Sequence, residues 1–226
     1  MHEIRIVTDF SEKQKTRPLY EQAFEDPQTF VDYYYREKCL DNTMVVKYGD
    51  EGEVLSMLHL NPYTVSVCGV PVSSYYVVAV ATDEKHRRKG HMAEVLRRTF
   101  AFLEEAAVPF VFLLPVDEAI YTPFGFETVC DFIRREHPLY ALPYEKVREQ
   151  YDVYCLRDAR YLKRQDEEDA LAEEGAGEVL PDDPVMMMRV THAAALSSLL
   201  HCPAHTPDRD LIRAIRRLRI YFREEV

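Results

Sequence analysis

Hydrophobic and polar positions follow two patterns along this chain, and each pattern predicts one kind of secondary-structure element. Short apolar runs rich in β-branched and aromatic side chains predict β-strands. They lie at residues 4–7, 43–48, 54–60, 63–68, 77–81, 110–114 and 128–134, with polar turns between several of them, including Asn61-Pro62. Strands in this number, interspersed with helical segments, predict a mixed α/β sheet with helices on its faces.

Apolar residues that recur at three- and four-residue steps predict helices. The clearest pattern predicts an amphipathic helix that begins near Gly90 and includes Val95, Leu96, Phe100 and Leu103. Similar spacing predicts helices within residues 11–35, with an interruption at Asp26-Pro27, and within residues 211–222. The second of these is basic, with five arginines from 213 to 223, and is expected to pack one face and leave the other in solvent.

The predicted strand at 77–81 is followed by a basic turn. Gly90 lies where the next helix begins, and its missing Cβ leaves room for an anion beside the first backbone N–H groups of that helix. Arg87, Arg88 and Lys89 add three cationic side chains at the same place, and guanidinium groups bind phosphate oxygens in pairs. The turn therefore fits a pyrophosphate, although the same four residues are also what a solvated turn contains.

The sequence of this strand, turn and helix resembles a known signature. Val80-Ala81-Thr82-x-x-x-His86-Arg87-Arg88-Lys89-Gly90 is similar to the acetyl-coenzyme A signature of the GNAT acetyltransferases, in which R/Q-x-x-G-x-G/A cradles the cofactor pyrophosphate. The resemblance implies a GNAT fold, with a mixed and mostly antiparallel central sheet flanked by helices, over about residues 1–135. It implies acetyl-CoA binding by Val80, Ala81, Thr82, Arg87, Arg88, Lys89, Gly90, His91, Met92 and Ala93.

One segment and one motif position are compared with one branch of that family. Residues 120–126, IYTPFGF, resemble the matching segment of the enhanced-intracellular-survival (Eis-like) branch. The last position of the cofactor motif is usually small and is Met92 here, and the Eis-like branch is similar in tolerating larger residues there. The resemblance implies that Tyr121 is the general acid. The alternative for Tyr121 is a core tyrosine, because the chain has 15 tyrosines.

The implied reaction is the transfer of an acetyl group to a primary amine of a small molecule or a lysine side chain. A neutral amine attacks the thioester directly, backbone N–H groups near Val80 and Thr82 face the thioester, and Tyr121 protects the leaving thiolate with a proton. The alternative function is a non-catalytic, GNAT-shaped module that binds CoA or regulates another protein. Retention of Tyr121 and of the cationic turn favours the enzyme.

The general base is not evident from the residues. In the Eis-like branch the resemblance assigns that role to the terminal carboxylate, presented by a complete C-terminal domain. His59, Asp117 and Glu118 are candidates by neighbourhood alone. We expect His59 to be a structural histidine on a strand and the two acids to belong to a solvated loop.

Composition suggests how the chain is organised. We predict a GNAT domain at 1–135, a connecting helical segment at 136–165, an acidic linker at 166–184 and a partial, sterol-carrier-like segment at 185–226. Nine acidic residues and no basic one lie between Gln165 and Met188, so the rest of the chain carries only −2 of the net charge of −11. The charge therefore says little about the substrate.

The remaining expectations concern partners and location. Five scattered cysteines without a C-x-x-C motif argue against a disulfide framework or a metal site, and His201, Cys202 and His205 fit a loop better than a metal centre. Without an apolar run long enough for a membrane span or a signal peptide, the expected location is cytoplasmic. The basic residues form no patch for nucleic acid, and association into a homo-oligomer is a further expectation.

Overall fold

The computed structural model describes residues 3–173 and 181–224. The chain divides into two compact units. The described part of the first unit comprises residues 3–62, Val77–Ala101 and 157–173, and that of the second comprises Tyr63–Tyr76, Phe102–Leu156 and residues 181–224. Two long strands, β3 (Val54–Val67) and β4 (Val70–Thr82), and the helix α4 (His91–Glu105) contribute residues to both units.

The first unit contains a set of antiparallel strands covered by helices. Strand β1 (Glu3–Val7) pairs antiparallel with β2 (Thr43–Tyr48), β2 pairs antiparallel with β3, and β4 lies beside β3. Its remaining helices are α1 (Phe10–Gln14), α2 (Arg17–Ala23), α3 (Gln28–Glu37) and α7 (Ala159–Glu173). Both faces of β2 are covered, since all six of its residues are buried, whereas β1 leaves Glu3 and Arg5 exposed.

The second unit adds the other strands. They are β5 (Phe110–Leu113), β6 (Glu127–Asp131), β7 (Val153–Cys155), β8 (Val185–Val190) and β9 (Ile220–Tyr221). Strand β4 pairs in parallel with β5 at Tyr75 and Tyr76, whereas β8 lies between β5 and β6 and is antiparallel to both. Strand β7 pairs antiparallel with β3 and parallel with β9. The helices are α5 (Glu118–Tyr121), α6 (Tyr144–Gln150), α8 (Ala193–Leu199) and α9 (Asp208–Ile215).

These pairings confirm the predicted fold class, a mixed and mostly antiparallel sheet with flanking helices. One predicted turn is wrong, because β3 continues through Asn61-Pro62. Pro62 lacks an N–H group, and its side chain is exposed, but buried residues on either side, such as Leu60 and Val65, keep the strand in the core. The chain turns instead at Cys68-Gly69.

The predicted terminal helix is wrong in its second half. Helix α9 ends at Ile215, and the chain then enters β9, which pairs with β7. Ile220, Tyr221 and Phe222 are β-branched or aromatic residues that fit a strand, and Tyr221 and Phe222 are fully buried. The helical spacing of Leu218 and Phe222 therefore does not correspond to a helix in the structure.

The acidic segment at 166–184 differs from the expected linker in its first part. Residues 166–173 complete helix α7, and residues 174–180 lie outside the described residues. Glu168 binds the buried Lys38 ammonium at 2.5 Å and accepts a hydrogen bond from the Tyr33 hydroxyl at 2.9 Å. Helix α7 is therefore anchored to α3 and to the short turn after it.

The two segments that flank the acidic region also have described structure. Residues 136–165 contain α6, β7 and the start of α7, so this segment is only partly helical. The start of the predicted C-terminal segment is β8, within the sheet of the second unit. The four domain boundaries stay predictions. Across residues 3–173 and 181–224, no helix combines the length and apolar character that crossing a bilayer requires.

Candidate functional site

The end of β4 carries the first three residues of the predicted cofactor motif. Ala79 has a φ of 50°, which is left-handed, so the regular alternation of the strand is broken just before Val80, Ala81 and Thr82. The Ser56 hydroxyl of β3 donates to the Ala81 carbonyl at 2.8 Å and lies 2.9 Å from the Thr82 hydroxyl. These contacts fix the direction in which β4 enters the turn.

The turn after β4 is held by the Asp83 side chain. Its carboxylate accepts a hydrogen bond from the Lys85 backbone N–H at 3.0 Å and lies 2.8 Å from His86 Nδ1. The hydrogen bond with His86 lowers the pKa of Asp83, and the hydrogen bond from the Lys85 backbone N–H also lowers it. The Arg87 side chain donates to the Thr82 carbonyl at 3.4 Å, so one end of the turn is tied back to the strand.

The last residues of the turn have the backbone that an anion site requires. Arg88 and Gly90 both adopt left-handed conformations, with φ of 63° and 82°. A Cβ built on Gly90 would meet no atom within 4 Å, so open space lies beside the start of α4. Arg87, Arg88 and Lys89 are exposed around it. The residues present therefore fit a phosphate-bearing ligand.

The first turn of α4 contains the remaining motif residues. His91 is buried, and Met92 and Ala93 are half-buried. The ammonium of the buried Lys47 on β2 lies 2.7 Å from Glu94 Oε2. This ion pair fixes the helix start against the sheet. The sequence gives no signal for it, because a lysine in a strand is ordinarily exposed.

Tyr121 belongs to the second unit, where it is the last residue of α5. The helix begins at Glu118 and is capped by Asp117, whose carboxylate accepts a hydrogen bond from the Ala119 N–H at 2.8 Å. The Tyr121 ring meets the buried Phe126 ring edge-on, with centroids 5.8 Å apart. Burial raises the pKa of Tyr121 to about 12. The phenol is therefore protonated throughout the neutral range and can act as a hydrogen-bond or proton donor.

The three candidates for the general base are each engaged elsewhere. His59 is fully buried, with its Nδ1 atom 2.9 Å from the Tyr34 hydroxyl, and burial lowers its pKa to about 3. Asp117 caps α5, and Glu118 accepts a hydrogen bond from the Thr128 hydroxyl. Over residues 3–173 and 181–224, no three His, Cys, Asp or Glu side chains are placed to bind a metal ion.

Several classes of α/β proteins bind anionic ligands where a strand, a turn and the start of a helix follow in this order. The family model of the acetyltransferase (GNAT) domain matches residues 3–129, which is more than half of the chain. The chain therefore belongs to the GNAT acetyltransferase family. A search of curated proteins found no match.

Several solved structures are similar. A conserved protein from Enterococcus faecalis has a TM-score of 0.54 and 18% identity, over 58% of this chain and 33% of that one. Eis1 from Mycobacterium abscessus has a TM-score of 0.51 and 14% identity, over 76% of this chain and 48% of its own. At such identities the likeness concerns the fold alone.

A third structure is that of YhbS from Escherichia coli, which is in complex with CoA. It has 26% identity and a TM-score of 0.47, over 56% of this chain and 69% of that one. The match with this chain spans about a third of the Enterococcus faecalis protein and about half of Eis1.

Proposed function

We propose that this chain is an acetyl-CoA-dependent N-acetyltransferase that acts on a primary amine of a small molecule or a lysine side chain. The observation that carries the proposal is the turn at residues 87–90. It combines a left-handed glycine, open space at a helix start and three exposed cations, within a region that matches the GNAT domain.

The turn supplies the interactions that a pyrophosphate needs. Backbone N–H groups at the start of α4 have no partner within the helix and carry the positive end of its dipole. Arg87, Arg88 and Lys89 add positive charge around the same point, and Gly90 lets the phosphate approach the backbone. Arg87 is held toward Thr82 and Lys89 donates to the Lys85 carbonyl at 3.1 Å, so both side chains are partly ordered.

Tyr121 is the proposed general acid. A neutral amine attacks the thioester carbonyl, and the C–S bond breaks. The departing sulfur takes up a proton or a strong hydrogen bond, and the amine nitrogen loses a proton. A phenol with a pKa of about 12 is fully protonated at neutral pH and so keeps its proton available for that step. The backbone N–H groups of Val80 and Thr82 are proposed donors to the thioester oxygen.

The Eis-like assignment also belongs to the proposal. It rests on IYTPFGF at residues 120–126 and on Met92 in the cofactor motif. The proposal leaves the general base unassigned, and its acceptor is a small amine or a lysine. The last residues, 225 and 226, lie outside the described residues.

One observation supports a second candidate, a CoA-binding module without turnover. His59 is fully buried, and the carboxylates of Asp117 and Glu118, although exposed, are each engaged in a structural contact. Such a module would bind CoA through the turn and release no thiol with any amine. The two candidates therefore agree on the ligand and differ in turnover.

Thiol release by the intact protein separates the two candidates, and replacing Tyr121 with phenylalanine tests the acid role. We expect kcat to fall by about 100-fold, because removal of a general acid typically costs two to four orders of magnitude. The affinity for acetyl-CoA, measured by calorimetry, is expected to stay within about twofold, since the phenol acts on the leaving sulfur. The rate is followed as thiol release with a panel of primary amines.

Tyr151→Phe is the matched control. Tyr151 is another half-buried tyrosine of the second unit, and it meets Tyr221 edge-on with centroids 5.0 Å apart. Its replacement should leave kcat unchanged. Equal turnover in the Tyr121 variant and the intact protein would show that Tyr121 is not the general acid. CoA binding by the intact protein without thiol release for any amine would favour the non-catalytic module.

A further inference from the structure

An arginine on β8 contacts the segment that follows Tyr121. Arg189 lies opposite Val111 in the antiparallel pairing of β8 with β5, and its side chain is half-buried. Its Nη1 atom donates a hydrogen bond to the Phe124 carbonyl. Phe124 belongs to the short turn Thr122–Phe124 that directly follows Tyr121.

The backbone of that turn is shaped to admit the arginine. Gly125 has a φ of 80°, a conformation that favours glycine, and its N–H donates to the Thr122 carbonyl at 3.0 Å. A Cβ built on Gly125 would lie only 2.2 Å from Arg189 Nη1. The left-handed backbone favours glycine at 125, and a methyl group there would displace the Arg189 guanidinium.

Two contacts hold the segment that follows Tyr121. Phe126 meets the Tyr121 ring edge-on, and the Phe124 carbonyl between them in sequence is held by Arg189. A guanidinium is charged and planar, and its hydrogen bonds to oxygen are among the stronger ones in proteins. Thr122 and Pro123 are exposed, and the Arg189 contact links the turn to β8.

We propose that Arg189 is a positioning residue for Tyr121, acting through the Phe124 carbonyl and Gly125. The inference rests on the proposed acid role of Tyr121 and extends the site to a strand at 185–190, beyond the region 3–129 that matches the GNAT domain. Arg189 touches neither substrate nor cofactor in this proposal. Its effect is on where the phenol lies.

The test compares Arg189→Met and Arg189→Lys with Arg216→Met. Arg216 is the matched control, because it is an arginine of the same unit whose Nε donates to a backbone carbonyl, that of Thr128, at 2.5 Å. Protein labelled with 3-fluorotyrosine reports the surroundings of each phenol by ¹⁹F NMR. The Tyr121 signal is identified by its loss in Tyr121→Phe, and kcat and acetyl-CoA affinity are measured on the same variants.

We expect Arg189→Met to shift and broaden the Tyr121 signal and to lower kcat at least about tenfold at unchanged acetyl-CoA affinity, since small misplacements of catalytic groups cost about two orders of magnitude. Arg189→Lys keeps the positive charge but lacks the planar guanidinium. Its signal shift and its kcat should therefore lie between those of the intact protein and those of Arg189→Met. Arg216→Met should leave both readouts unchanged. In a Tyr121→Phe background, Arg189→Met should lower kcat no further, because the group it positions is gone.

An unchanged Tyr121 signal in Arg189→Met would overturn the inference, as would an equal loss of kcat in the Tyr121→Phe background. If Tyr121→Phe alone leaves kcat unchanged, the acid role fails, while the NMR signal still decides whether Arg189 positions the phenol. If Arg189→Met does not fold, Gly125→Ala replaces it. That variant keeps the arginine and pushes its guanidinium away with a methyl group, so it should shift the same signal.

Discussion

Replacing Gly90 with glutamate is expected to weaken CoA binding by about 100-fold. A residue with a side chain relaxes the left-handed backbone at 90, where φ is 82°, and CoA binding must then restore that backbone at a cost of about 1–2 kcal/mol. A carboxylate beside the start of α4 would also repel the phosphates and occupy the open space, which costs about 1–2 kcal/mol more. The sum, roughly 3 kcal/mol, corresponds to about two orders of magnitude in Kd. Calorimetric titration with CoA measures it.

The chain offers a matched control for this change. Gly52 lies in the turn between β2 and β3, has a φ of 85°, and also has open space around the position of a Cβ. Gly52→Glu therefore introduces the same backbone strain and the same charge away from the turn at 87–90. Its affinity for CoA should match that of the intact protein. Equal affinities in all three proteins would show that the turn does not bind the phosphates.

Acidification should destabilise this protein through His59. Burial lowers the pKa of His59 from 6.5 to about 3, so the unfolded chain takes up a proton that the folded chain refuses. The stabilising contribution is present above pH 6.5 and is lost as the pH falls toward 3. At pH 4 the loss in free energy of unfolding amounts to about 3 kcal/mol. Urea unfolding at pH 7, 5 and 4 measures this loss.

His59→Gln tests the origin of that loss, because glutamine can still accept the Tyr34 hydroxyl hydrogen bond but does not titrate. Between pH 7 and pH 4 the variant should lose about 3 kcal/mol less than the intact protein. His205 is exposed, so His205→Gln is the control and should follow the intact protein. Parallel pH profiles for His59→Gln and the intact protein would mean that acid unfolding begins elsewhere in the chain.

Local patterns in the sequence predicted the β4–turn–α4 region well. The apolar run before Thr82, the polar and basic residues after it, and the helical spacing from Val95 are all signals within a few residues of one another. The structure places Arg87, Arg88, Lys89 and Gly90 in the expected turn, and α4 begins at His91. Which of these residues bind CoA stays a prediction.

Features that depend on distant residues were out of reach. Nothing in the local sequence of residues 185–190 indicates that β8 lies between β5 and β6. Ala79 is left-handed although alanine does not favour that conformation, so tertiary contacts impose it. The ion pair of Lys47 with Glu94 and the contact of Arg189 with Phe124 join residues far apart in sequence. Periodicity carries no information about such pairs.

The place of β8 also bears on how the second unit folds. Strands β5 and β6 are close in sequence, yet in the described sheet β8, which follows much later in the chain, lies between them. A polypeptide emerging from the ribosome therefore exposes one backbone edge of the apolar strand β5 until residues 185–190 are synthesised. Pairing between strands so far apart in the sequence is slow. The last strand to be synthesised among these three is the one that closes the sheet. Until then the nascent chain presents an edge that invites pairing with other chains.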